Sequence, residues 1–320
     1  MTVLVSRQAA NTLFAEVRRW VEHGLRTTGA PLECLAYPLA VMVPAGPAMC
    51  PLEPVGVENI GELVLDQVAI PPDSVKSFSP HNCHFDGAQI DRTNLEFNRA
   101  IDQLVARWPR LGVLSKLHAH PFAGGAFLSG GDLYHGVTSP QALDWRQRRG
   151  LSTAILHVVY PDRDPGCTRR PWRIVEAGAA ADRTTWRVHS WGSDGGQMVD
   201  LGDARVVSNR DPSVIAARRK PYWATASGKR WCDTQKAALR QAGHQVSRNL
   251  LGRGWRRYLV DGQILLALPP DLPAVPPRVL RVVNAMTNTF EPLPVPSRLG
   301  PSHLSRLSLL KLVRHFAAPR

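Results

Sequence analysis

Apolar positions along the first part of the chain switch between a helical repeat and short continuous runs. Leu13, Val17, Val21 and Leu25 recur at helical spacing behind Ser6, which can cap a first turn, and Gly29-Ala30-Pro31 stops the repeat, so the pattern predicts a first helix. The runs Leu32 to Tyr37 and Leu39 to Val43 have strand or buried-helix character and carry one acid, Glu33. Beyond a Pro/Gly-rich loop, Glu62 to Ile70 reads as a strand ended by Pro71-Pro72-Asp73-Ser74, and residues 79–92 read as a polar loop. Leu95, Phe97, Ile101, Leu104 and Val105 predict a second helix over about Arg92 to Trp108, with Pro109 and Gly112 at its exit. Val113 to Leu117 is a short buried strand that runs into His118-Ala119-His120-Pro121.

Past a glycine-rich loop, Ser129 to Tyr134 reads as a helix start and Ser152 to Tyr160 as the most strand-like segment of the chain. Trp172 to Glu176 and Thr185 to Trp191 are expected to form a hairpin, and Gly192 to Gly196 a seam. Further on, the pattern gives a helix from about Thr234 to Leu251, strands at Trp255 to Val260 and Gln263 to Leu268, a proline-dense stretch and a basic, proline-punctuated tail. This irregular alternation points to a mixed α/β layer structure and not to a doubly wound parallel sheet.

Charge sharpens the division. Residues 1–196 hold 19 Lys+Arg and 19 Asp+Glu, whereas residues 197–320 hold 20 and 7, so the net +13 belongs to the second part. The expected organisation is a first domain over 1–196 and a smaller basic α+β accessory domain over 197–320. The longest apolar run, Cys34 to Ala48, is broken by Pro38, Pro44 and Pro47, which leaves no membrane-length segment. The first residues lack signal-peptide character, and the five cysteines are scattered with no C-x-x-C pair, so the expected setting is a reducing, cytoplasmic one.

The chemistry is concentrated in His118 to Asp132, which reads H-A-H-P-F-A-G-G-A-F-L-S-G-G-D. Two imidazoles one residue apart at a strand end project to the same face and can chelate one ion. A carboxylate from the start of the next helix, Asp132, supplies a third ligand, and three protein ligands with an open fourth position is the pattern of a catalytic zinc. Zinc-bound water ionises near neutral pH, at about 7, and needs a base to take its proton. Glu33, an acid set in an apolar segment, is the candidate, with Glu53, Glu58 and Glu62 as competitors. Ser129 could donate to the oxyanion as a carbonyl is attacked. The cluster His81, Cys83 and His84 reads as part of a polar loop, and His135 as structural or a substrate contact.

These residues resemble the JAMM motif of the MPN metalloprotease family: an upstream Glu, then H-x-H, a spacer and S-x-x-D, here with Pro121 and Phe127-Leu128 as in deubiquitinating members. The resemblance covers roughly residues 8–192. It implies an MPN-type (cytidine-deaminase-like) mixed sheet flanked by helices, with one zinc on His118, His120 and Asp132. It also implies general acid/base work by Glu33 and transition-state stabilisation by Ser129. The activity implied is that of an isopeptidase or peptidase that removes or processes a ubiquitin-like protein. The sequence departs from the family in an eight-residue spacer, Pro121 to Leu128, where seven is usual, and in Ala119, where Ser or Thr is common. Two alternatives are a non-catalytic MPN scaffold and a peptidase of small peptides or sulfur-carrier conjugates. The basic region could meet an acidic protein, or nucleic acid through Trp223, Trp231 and Trp255 among its Arg and Lys, or be no more than an arginine-rich surface. Its helix, two strands and Leu268-Pro269-Pro270 turn are similar to ubiquitin-conjugating enzymes, although Cys232 lies upstream of that turn and none lies downstream, which implies a non-catalytic module.

Overall fold

A computed structural model of the chain describes residues 1–44, 60–73, 76–79, 82–85, 90–113, 115–121, 126–140, 142–143, 154–161, 186–194, 197–251, 255–272, 274–284, 289–296 and 307–317. A strand not foreseen in the sequence, β1 (Thr2–Ser6), leads directly into α1 (Arg7–Thr27), whose cap is Ser6 as expected: its Oγ accepts from Ala9 N at 3.2 Å. The apolar stripe Leu13, Val17 and Val21 is buried.

The strands that follow are β2 (Leu35–Pro44) and β3 (Ile60–Ala69), then β4 (Lys76–Ser79) and β5 (Asn82–Phe85), which pair with each other. The segment expected as a polar loop thus carries a strand, with an aromatic residue in each partner, Phe78 and Phe85. Next come α2 (Ile90–Arg107), β6 (Gly112–Val113), β7 (Ser115–Ala119) and α3 (Gly130–Leu133), the last continued by a π-helical turn over Tyr134–Thr138. The first sheet is completed by β8 (Ile155–Pro161), β9 (Trp186–Asp194), β10 (Gln197–Asp203) and β11 (Arg205–Val207). Residues 172–176, expected to pair with the strand that became β9, lie outside the described residues. The seam expected at 192–196 falls between paired strands, Gln197 facing Asp194 across the β9–β10 ladder.

This sheet has the order β10-β9-β8-β7-β2-β3-β1-β11, with β6 beside β2, and mixes parallel (β1–β3, β1–β11, β7–β8) with antiparallel pairs. Only Ala204 separates β10 at one edge from β11 at the other, so the sheet curls until both edges meet on one stretch of chain. On one face α1 packs against Val3, Val5, Leu63, Leu65, Leu117 and Val159. On the other, Phe97 and Ile101 of α2, with Val214 and Ala217 of α4 (Pro212–Arg218), pack against Leu4, Tyr37, Leu39 and Val64.

After α4 comes α5 (Ala226–Gln241), which starts eight residues before the expected Thr234 and ends well before Leu251. Thr225 accepts from Gly228 N as its cap, and Gly243, at φ 88°, breaks the chain beyond its end. The remainder of the expected helix is β12 (Val246–Leu251), the first strand of an antiparallel meander with β13 (Trp255–Val260), β14 (Ile264–Leu268), β15 (Arg278–Asn284) and β16 (Thr289–Leu293). The β13–β14 connection is Asp261-Gly262-Gln263, in which Asp261 and Gly262 take positive φ (51° and 68°) and Gln263 N donates to the Val260 carbonyl at 3.0 Å. Cys232 and Leu239 of α5, with Leu312 and Val313 of α6 (Leu309–Ala317), cover Tyr258, Val260, Leu266 and Leu268. The two sheets are joined through Arg110, whose Nη1 and Nη2 donate to the Asp271 carboxylate at 3.0 and 2.5 Å while Nε donates to the Arg219 carbonyl. The protein is therefore a mixed α/β sheet with a second antiparallel sheet, and among its described residues no helix is long and apolar enough to cross a membrane.

Candidate metal centre

β7 lies between β2 and β8, with Leu35 opposite His118 on one side and Val158 opposite it on the other. His120 follows β7 and is held there by its backbone N–H, which donates to the Val159 carbonyl at 2.8 Å. The two-residue period puts both imidazoles on one face of the sheet, with Nε2 atoms 2.8 Å apart. Continued by one pair, Ala119 N donates to the Cys34 carbonyl, and the same register sets Glu33 opposite His120 and on its face.

Asp132 arrives from α3, and its placement is a capping box. Ser129 Oγ accepts from Asp132 N at 3.2 Å, and Asp132 Oδ2 accepts from Ser129 N at 2.7 Å. The Ser129 hydroxyl also donates to Oδ2, at 2.8 Å. With Oδ2 so engaged, Oδ1 is left facing His118 Nε2 at 3.2 Å. The spacing S-x-x-D therefore does two things, starting the helix and aiming one carboxylate oxygen.

His118, His120 and Asp132 offer one donor atom each within 4.8 Å of one another and could hold a metal ion. Two nitrogens bound at 2.0–2.1 Å around a tetrahedral ion would stand about 3.3 Å apart, so the 2.8 Å between the two imidazoles needs only a small opening and the 3.2 Å from His118 to Asp132 is already close to that spacing. Side-chain exposures of 14% for His118 and 20% for Asp132 leave the group reachable from solvent.

Electrostatics at the site follow from burial and mutual proximity. Burial pushes the Glu33 carboxyl up to about 7; the charge of His118 opposes this and the Asp132 carboxylate adds to it. Burial pulls His120 down to about 4, with His118 acting in the same direction and Asp132 against it. For Asp132, burial would raise the carboxyl, but the hydrogen bond and charge of His118, with the bonds from Ser129, hold it well below the usual carboxylate range.

Of the competitors for the Glu33 role, Glu62 accepts from the Ser213 hydroxyl at 2.8 Å, and Glu53 and Glu58 lie outside the described residues. His81 and the side chains of Cys83 and His84 also lie outside them. His135 is exposed and meets Tyr134 edge to face, with centroids 5.1 Å apart. Sequence reasoning missed the cavity beside the group, of about 470 Å³, which Leu128, Leu133 and Val137 line from one side and Trp191, Met198 and Asp200 from the other. It also missed His189, whose Nε2 and Nδ1 each lie 2.7 Å from a carboxylate, of Asp200 and Asp203 respectively. The apolar Met198, Val199 and Leu201 among polar residues from Gln197 to Asp203 were the available signal for that strand. No family model matches the chain, and a search of curated proteins finds no match either.

Proposed function

We propose that the protein is a zinc-dependent isopeptidase or peptidase of the MPN type that removes or processes a ubiquitin-like protein in the cytoplasm. The observation that carries this reading is the convergence of His118, His120 and Asp132 with a buried carboxyl, Glu33, on one face of the sheet. Two imidazoles and a carboxylate suit zinc in charge and donor type. The mixed sheet between α1 and α2 supports an MPN-type reading of residues 8–192.

Zinc bound there would polarise the scissile carbonyl and acidify water to about 7. Glu33 then has two tasks, to take the proton of the attacking water and to pass it to the leaving amine. A carboxyl near 7 suits both, because a group that gives and takes at neutral pH works best with its pKa near the operating pH. Ser129 holds Asp132 through its backbone N–H and its hydroxyl, so it acts first as a positioning residue; stabilising the oxyanion requires that hydroxyl to leave Oδ2. A complete ligand set argues against a non-catalytic scaffold.

The test is hydrolysis of a linear fusion and of an isopeptide conjugate of a ubiquitin-like protein, each followed with and without 1,10-phenanthroline. Cleavage that the chelator stops and added zinc restores is the expected result. Cleavage indifferent to the chelator would refute the zinc mechanism, and cleavage of short peptides alone would move the substrate to the small-peptide class.

A further inference from the structure

The second sheet contains a buried cation for which the described residues offer no anion. β13 presents Trp255 to one face, where it packs with Leu265, Ala267 and Leu280, and Arg256 to the other, the side of Tyr258 and Val260. Arg256 is only 7% exposed, and its Nε and Nη1 are enclosed without a hydrogen-bond partner among the described residues. Its guanidinium lies 5.1 Å from the centroid of the Trp223 ring, itself 6% exposed. The ring face favours the charge but offers no acceptor for the N–H groups. Three acids of this module are engaged elsewhere: Asp271 with Arg110, Asp261 with His244, and Glu291 with Arg281.

The surroundings also favour negative charge. Trp223 precedes by two residues Thr225, the cap of the 16-residue α5, so Arg256 is anchored close to a helix amino end. That helix start is packed hard onto the Trp223 backbone: a Cβ at Gly228 would lie 1.9 Å from the Tyr222 carbonyl oxygen and 2.8 Å from Trp223 Cα. Arg219, Lys220, Lys229 and Arg230 are exposed on the same stretch. A buried, unpaired arginine is costly, whereas one meeting a planar pair of oxygens makes strong charge-assisted bonds.

We infer that Arg256 and Trp223 form a binding site for a small oxyanion, a phosphate or a carboxylate. Nη2 is the one guanidinium nitrogen not enclosed, so the anion approaches there and pairs with Nη2 and one of its orphaned neighbours. The site is separate from the His118–His120–Asp132 group and does not depend on the activity proposed for it.

Arginine side-chain NMR on the full chain tests this, with inorganic phosphate and acetate titrated at ionic strength held constant with chloride. The Arg256 Nε–H resonance, identified by its absence from R256K, should shift saturably with phosphate, and the wild-type Tm should rise by several degrees. Saturation by acetate as well would identify a carboxylate source, and by phosphate alone a phosphoryl one. R256M should lose the rise in Tm. An Arg256 resonance unmoved by both anions, or an equal rise in R256M, would overturn the inference. Should R256M fail to fold, the resonance of the wild-type chain decides alone.

Discussion

At Glu33, a carboxyl 6% exposed and set opposite His120, burial and the nearby Asp132 carboxylate outweigh the charge of His118 and hold the group at about 7. Replacing it with Gln keeps size and polarity but removes proton transfer. E33Q should therefore lower kcat roughly 100- to 10,000-fold with metal content unchanged, as measured by steady-state hydrolysis beside elemental analysis of the same sample. Retention of wild-type kcat would remove Glu33 from the mechanism. The sequence made this residue visible because a lone acid in an apolar run needs a reason. His118, His120 and Asp132 were visible for a similar reason, since a strand period of two and a capping box of three are local spacings. His189 and Arg256 were not visible. The two carboxylates of His189 reach it from β10 across a register shift between Asp200 and Gly202, and the Trp223 ring beside the Arg256 charge is 33 positions away. Such pairings exist only once strands are placed.

Elements show the same contrast. α1 and α2 were legible from apolar repeats, and β3, β8, β13 and β14 from apolar runs between turn residues. The helix expected to reach Leu251 was misplaced because Val246 to Leu251 is apolar enough to extend a helix pattern, while Gly243 at positive φ ends it and pairing with β13 gives those residues a ladder. Pairing of β8 with β9 creates a further feature, a fully buried His157 with Nδ1 2.8 Å from Ser190 Oγ. Burial pulls this imidazole from 6.5 down to about 3. Below pH 6.5 the unfolded chain takes a proton that the folded one refuses. Stability from the neutral imidazole is thus fully present above pH 6.5 and is lost as pH falls towards 3. The slope approaches about 1.4 kcal/mol per pH unit. Urea unfolding at pH 7 and pH 5 should show a larger acid loss in the wild type than in H157N, by roughly 2 kcal/mol. Equal losses would mean that His157 is protonated in the folded state.

Over the whole molecule, one curled sheet carries the candidate centre and a second carries the basic surface, and Arg110 ties them together. Its side chain is 10% exposed and bridges Asp271 and the Arg219 carbonyl. R110A should cost about 2 kcal/mol and split a single calorimetric transition into two, and one unchanged transition would show that the tie is not needed. Charge asymmetry marked a basic second part in the sequence, but the first sheet runs past residue 196 to Val207 because β10 and β11 form its two edge strands, a topological fact with no local signature. The central claim concerns the metal. Elemental analysis of protein purified without chelators, wild type beside H118A, D132A and E33Q, tests it most directly. The account predicts about one zinc per chain in the wild type and E33Q and little in H118A and D132A. Zinc-free wild type, or zinc kept by both ligand variants, would contradict it.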